Sequence, residues 1–441
     1  MDQMNLKNGL FLISILSIIF LFTACVAGSN NPLKSNNPVV GDLPQKVEDH
    51  FIPEPAEYNI QSWVENLRIP WELIFLSENK ALVTERAGRI RLIENGILQD
   101  NPYKVIAEVK PVGEGGLMGL AKHPDYPNTK YLYVMYTYQD QGALYNRVAR
   151  YRDTDTTMEF DRIIVEKIPA SRVHNGGRIA FGPDGMLYIC TGDTWQSEIA
   201  QNKDILGGKI LRYTPDGDIP DDNPFAGSPV YSLGFRNPQG LAWYPKTGVL
   251  FSSSHGPSGE FGLQGKDTIN IIQKGGNYGW PLVLGNANVK PYIAPIIMWS
   301  QATPPSGMTF WNNRLYIATL RSETLLRIDI ESSGESYQVV NIDRLFANDL
   351  YHGTYGRLRD AVVGPDNALY VLTNNYDGRG TPQEGDDKIL RLTLKEIREI
   401  KRIAIQENRC LSLVYLYISA HGQIGKVSNR CLNGGSLDQS R

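Results

Sequence analysis

One pattern recurs through most of the chain and limits what it can fold into. Ala81-Leu82-Val83, Leu132-Tyr133-Val134, Leu187-Tyr188-Ile189, Val249-Leu250-Phe251, Leu315-Tyr316-Ile317 and Leu369-Tyr370-Val371 are six apolar strand centres, whose starts lie 51, 55, 62, 66 and 54 residues apart. Turn sequences precede three of them: His123-Pro124-Asp125, Gly182-Pro183-Asp184-Gly185 and Gly364-Pro365-Asp366-Asn367. Proline presets φ at the first turn position, and Gly or Asn tolerates the positive φ that follows. A second strand signature follows several centres, as in Gly88-Arg89-Ile90-Arg91-Leu92 and Lys388-Ile389-Leu390-Arg391-Leu392. A long unit holding several short strands is the mark of a β-propeller. Six units predict an all-β, six-bladed propeller of four-stranded antiparallel blades. The segment Tyr58 to Leu67 precedes the first full unit and is expected to complete the last blade and close the ring. A pair of β-sandwiches would show more even strand spacing, at about 8 to 12 residues.

Composition agrees with one closed domain. The 441 residues alone suggest about three domains, but the repeat runs unbroken from about residue 60 to 395. The 42 Gly, 26 Pro and 23 Tyr fit turns and strand cores better than helices. A net charge of −3 gives no basic field for nucleic acid. Four cysteines exclude a disulfide scaffold.

The amino terminus reads as an address. Gly9 to Phe22 is an apolar run of 14 residues, short of the roughly 20 needed to span a bilayer as a helix. Residues 1–24 therefore read as a signal peptide. Leu21-Phe22-Thr23-Ala24-Cys25 resembles a bacterial lipobox, with Cys25 the lipidated residue; ordinary secretory cleavage with Cys25 incidental is the other reading. Either way the protein is expected to be exported, to the periplasm or cell surface. Residues 25–54, rich in Asn, Pro, Ser and Gly, are expected to form a flexible polar tether. The propeller is expected over 55–395. Residues 396–441 continue no repeat and receive no assignment. Cys410 and Cys431 could pair or remain two surface thiols, and Cys190 reads as core.

Chemistry-bearing residues cluster beside the repeats. Arg172-Val173-His174-Asn175-Gly176-Gly177-Arg178 precedes a strand that ends in Thr191-Gly192-Asp193. A His and an Asp flanking one hairpin can meet, and the carboxylate would then fix the imidazole tautomer for general-base work. A purely structural His–Asp bond has the same spacing. Arg236, in Gly234-Phe235-Arg236-Asn237-Pro238-Gln239-Gly240, could address a carboxylate, or serve as an ordinary salt-bridge residue. Backbone carbonyls at Gly256-Pro257 suit a hard cation such as Ca²⁺, although Gly-Pro is also a common turn. Arg357 and Arg359 alternate onto one strand face, where like charges repel unless an anion sits between them; a solvated edge is the bland alternative. Gly113-Glu114-Gly115-Gly116-Leu117-Met118-Gly119 departs from a dinucleotide fingerprint at Met118 and lacks a βαβ setting.

Together these clusters resemble the soluble quinoprotein sugar dehydrogenases, the glucose/sorbosone dehydrogenase family, which use pyrroloquinoline quinone (PQQ). The resemblance runs in order over about residues 58 to 394. Its most specific pieces are His174-x-x-Gly177-Arg178, Gly192-Asp193, Gly234-x-Arg236-Asn237-Pro238-Gln239-Gly240, Gly256-Pro257, Gly275-Gly276-Asn277-Tyr278-Gly279-Trp280-Pro281 and Arg357-x-Arg359-Asp360. It implies a six-bladed propeller that oxidises aldoses at the anomeric carbon to aldonolactones, passing electrons to an external acceptor. It implies that His174 is the base and Asp193 orients it. Hydride goes to PQQ, activated by Ca²⁺ on the backbone oxygens of Gly256 and Pro257. Arg236 stabilises developing negative charge and Asn237 contacts the quinone. Arg321, Arg357 and Arg359 pair with the PQQ carboxylates, and Glu114 and Trp299 line the sugar pocket. Glu114 stands where the glucose enzymes carry Gln, Arg321 where they carry Lys, and Ala302 where they carry Thr. With its short span from Trp280 to Trp299, the chain is most similar to the compact aldose-dehydrogenase branch and is expected to be a monomer. Two other classes compete with this reading. One is a non-catalytic exported propeller that binds a partner through the same mouth. The other is a Ca²⁺-dependent lactonase type, which would need a carboxylate cluster around its metal.

Overall fold

The computed structural model describes residues 37–334 and 336–396. The signal peptide, Cys25, the tail from 397 and Cys410 and Cys431 lie outside them. The repeat unit folds as expected. Six sheets form in chain order, each starting with its innermost strand: Pro70–Phe75, Leu117–Lys122, Ile179–Phe181, Asn237–Trp243, Pro305–Trp311 and Leu358–Val363. This is a six-bladed β-propeller. The strand centres read from the sequence lie in or at the edge of the second strand of each blade.

Those second strands are apolar on both faces because each blade is sandwiched between two others. In blade three, Leu187 and Ile189 face the core shared with blade two, whereas Tyr188 and Cys190 face the core shared with blade four. Six such interblade cores occur among the described residues. The turns also explain the tyrosines. Asp184 caps its turn by accepting the Met186 N–H and then receives the Tyr188 hydroxyl at 3.0 Å. Asp366 does the same with Ala368 and Tyr370. Asn367 carries the positive φ that the turn chemistry called for.

The ring closes through Tyr58–Val64, which pairs antiparallel with Ile389–Leu394 as the fourth strand of blade six. Two blades exceed the expected four strands. Lys104–Val105 adds to blade one, and Asp49–Ile52 lies parallel to Ser336–Leu345 on the outside of blade five. The second addition corrects the expected tether over its described part. Residues 37–54 are laid along the propeller: Val39–Val40 pairs with Val283–Leu284, Gln45 exchanges two hydrogen bonds with the Met298 backbone, and Asp49 accepts from Trp299 and Arg344. Polar composition misled here because backbone pairing to an open sheet edge needs no apolar side chains.

Candidate active site

In a propeller of this topology, the ends of second strands and the starts of innermost strands come to the same mouth. A cleft of about 500 Å³ opens there. Glu114, His174, Arg236, Gly256, Pro257, Arg321, Arg357 and Arg359 all line it, although they come from blades two to six. Of the other expected residues, Asp193 and Asn237 lie behind the wall. Trp299 does not belong to the cleft. It packs in the core between blades four and five, donates Nε1–H to Asp49 at 3.1 Å, and faces a separate pocket of about 370 Å³ with Arg344.

His174 and Asp193 meet as their positions on one hairpin suggested. Nδ1 of His174 lies 2.7 Å from Oδ1 of Asp193. That carboxylate also accepts the Trp195 backbone N–H at 2.9 Å and the Trp280 indole N–H at 2.7 Å. The close approach requires Gly192, whose added Cβ would fall 2.0 Å from the His174 carbonyl oxygen. With Nδ1–H committed to Asp193, Nε2 is the basic nitrogen on the cleft side. Trp195 stacks on the imidazole, with ring centroids 5.1 Å apart. Asn237 shapes the floor indirectly, accepting Gly176 N–H at 3.0 Å and donating to His255 Nδ1. His255 donates Nε2–H to the Pro305 carbonyl, and burial pushes its pKa down to about 3, so it is a neutral fixture.

The arginines differ in how far their charge is used. Arg357 is bound through Nε and Nη2 to Asp377 at 3.0 and 2.7 Å. Arg236 donates Nε–H to Glu260 at 2.6 Å, leaving buried Nη2 with no partner among the described residues. Burial opposes ionisation of Glu260, but Arg236 outweighs it and holds the carboxyl below its ordinary value. Arg321 is exposed at the rim, its guanidinium 5.1 Å over the Tyr351 ring. Arg359 is the unusual one. It is buried, donates only to neutral Gln239 at 2.9 Å and more weakly to Ser306, and its Nε has no partner among the described residues. Burial pulls its pKa down to about 9. A buried cation without a carboxylate is costly, and an anion entering the cleft would relieve that cost.

Sequence reasoning missed Arg86, Asp377 and Arg379, which also line the cleft. All three follow the second strand of a blade, the position that yielded Asp193 and Gly256, so inspecting that position in every repeat would have found them. Arg379 donates to Glu114 at 2.7 Å, and the other Glu114 oxygen accepts the His174 backbone N–H at 3.0 Å. Burial opposes ionisation of Glu114, yet Arg379 and the His174 N–H hold its pKa down to about 2.

The donor set fits a planar polyanion and a hard cation together. Arg359, the spare Nη2 of Arg236 and the exposed Arg321 offer positive charge. The Gly256 and Pro257 carbonyls accept no hydrogen bond among the described residues. Asp267, the carboxylate beside them, is occupied by the Gly256 and Thr303 N–H groups. No cluster of three or more His, Cys, Asp or Glu poised for a metal occurs among the described residues.

Comparison with known proteins agrees with this geometry. The Glucose / Sorbosone dehydrogenase family profile matches residues 67–391. Aldose sugar dehydrogenase YliI of Escherichia coli K12 is 32% identical over 356 residues, covering 74% of this chain and 92% of that protein. A crystal structure of an oxidoreductase (glucose dehydrogenase) from Thermus thermophilus superimposes with a TM-score of 0.72 at 46% identity, covering 76% of this chain and all of that one. The PQQ-bound aldose sugar dehydrogenase of Streptomyces coelicolor gives 0.67 at 35% identity, over 77% of this chain and 99% of that one. The chain belongs to the glucose/sorbosone dehydrogenase family.

Proposed function

We propose that the protein is a PQQ- and Ca²⁺-dependent aldose dehydrogenase that oxidises the anomeric carbon to an aldonolactone. The observation that carries this reading is Arg359, a buried cation without a carboxylate, on a cleft whose wall holds the His174–Asp193 pair. Arg359, Arg321 and Arg357 would hold the PQQ carboxylates, and the carbonyls of Gly256 and Pro257 would hold Ca²⁺. When bound, PQQ with its Ca²⁺ supplies an electrophilic carbonyl that accepts two electrons as hydride.

The chain's own residues then have distinct tasks. His174 Nε2 takes the proton from the anomeric hydroxyl as hydride leaves the carbon. Asp193 keeps the required tautomer and stabilises the imidazolium that forms. Arg236 places a free N–H where negative charge grows. Glu114, ionised and fixed on two sides, offers an acceptor to sugar hydroxyls. The relatives named above support the sugar and cofactor classes.

We also propose that the protein acts as a monomer after export, anchored through lipidated Cys25 and passing electrons to an external acceptor. Metabolic labelling with a radioactive fatty acid tests the anchor: label is expected in the native chain and absent from Cys25→Ser. The activity is tested by reconstituting purified apoprotein with PQQ and Ca²⁺, adding an aldose panel, and following reduction of an acceptor dye. Turnover with neutral aldoses is expected. No turnover with any sugar, despite demonstrated PQQ binding, overturns the reading.

A further inference from the structure

Glu114 and Arg379 are separated by 265 positions, yet they form one ion pair at the cleft. Glu114 lies just before the innermost strand of blade two, and Arg379 follows the second strand of blade six, so the pair bridges past blade one. Arg379 is 56% exposed and Glu114 23%. An ion pair this accessible contributes little to stability, so its placement needs another account.

We infer that Arg379 is a positioning residue for the general base, acting through Glu114; the role of base is taken from the function proposed above. Glu114 divides its two oxygens between Arg379 and the backbone N–H of His174. His174 sits at φ 54°, a left-handed conformation rare for a residue with a Cβ. That N–H therefore needs a partner at one place, and Glu114 can stay there only while its other oxygen is held. Arg379 is itself braced. Its backbone N–H donates to Asp377 Oδ1 at 2.8 Å, and Asp377 Oδ2 receives Arg357. One short loop thus links the arginine assigned to the cofactor with the backbone of the base. Because Glu114 already occupies Arg379, the guanidinium is not left to capture an acidic sugar.

The test uses the full chain with Arg379→Ala and Arg379→Lys. In ligand-free protein, the His174 ring resonance is followed by NMR, assigned with His174→Gln. In the reconstituted enzyme, kcat, KM and the pH profile are measured with a neutral aldose. Arg379→Ala is expected to shift the His174 resonance and lower kcat roughly ten- to hundredfold, as a small misplacement of a reacting group does. KM should stay within about threefold, since ground-state binding is not the target. Arg379→Lys should recover most of the loss. A new acidic break is expected near the ordinary Glu value of about 4.3, because Glu114 loses its cationic partner. A general loss of folding would not add that ionisation. An unmoved resonance in Arg379→Ala overturns the inference, as does a kcat within about twofold of the native value. Absence of turnover in the native protein would count against the proposed function; the resonance in ligand-free protein still decides the positioning role, in its favour if it shifts and against it if it does not.

Discussion

His174 Nδ1 lies 2.7 Å from Asp193 Oδ1, and the second oxygen of that carboxylate takes the Trp280 indole N–H at the same distance. The aspartate is therefore fixed before it fixes the histidine. Asn at position 193 keeps the shape but offers an amide that can stabilise the wrong tautomer. Asp193→Asn is expected to lower kcat by on the order of 10² to 10⁴ while leaving PQQ affinity unchanged. Steady-state dye reduction and a fluorescence titration with PQQ measure the two. An unchanged kcat would move the base elsewhere.

Arg359 predicts a trade between stability and binding. It is buried with neutral partners only. Arg359→Met should raise the stability of the ligand-free protein by about 1–2 kcal/mol, since an uncompensated charge leaves the interior. The same change should weaken PQQ binding by roughly tenfold or more, the worth of a charge-assisted contact. Urea melts and PQQ titrations check both signs. A variant that binds PQQ normally would contradict the assignment of Arg359.

Below the cleft floor, Glu72 shares Arg178 with Asp360, at 2.9 and 3.1 Å from one guanidinium nitrogen. Burial first, and the Asp360 charge after it, outweigh Arg178 and push Glu72 up to about 8. A carboxyl raised on folding stabilises fully below its unfolded value of about 4.3, and that stability is lost as pH rises toward 8. The slope cannot exceed about 1.4 kcal/mol per pH unit for one group. Glu72→Gln should remove this slope, so its advantage over the native chain grows from about pH 5 to about pH 8. Thermal melts across that range test it, and parallel curves would contradict it.

Calcium should matter to the loaded enzyme and not to the folded chain. Gly256 and Pro257 offer two carbonyls, and no carboxylate cluster completes a metal site among the described residues. A chelator is expected to abolish turnover of the PQQ-loaded protein and to leave the Tm of ligand-free protein unchanged. A large calcium-dependent rise in that Tm would indicate a site built by the protein alone.

The architecture was legible because each second strand is buried on both faces and bounded by a turn that needs Pro, Gly or Asn. Leu187-Tyr188-Ile189 and the turn at Asp184 show why: packing, hydroxyl and cap all act through the same few residues. Four of the cleft arginines were also visible as motif residues. What escaped were relationships spanning blades. Nothing near Glu114 in sequence announces Arg379, and nothing near Arg236 says that Glu260 will take its Nε–H. Trp299 was misplaced for the same reason. Its indole is claimed by Asp49, from a segment whose polarity read as a tether.

The most direct test of the account is a single-turnover measurement on PQQ-loaded protein. An aldose is mixed with native enzyme and with His174→Ala, and the absorbance of the bound cofactor is followed without any external acceptor. The native protein should reduce one equivalent of cofactor per chain. His174→Ala should bind the same amount of cofactor and reduce it at least on the order of a hundredfold more slowly, the low end of general-base contributions. Equal rates in the two proteins, or a native protein that holds PQQ and never reduces it with any aldose, would contradict the account.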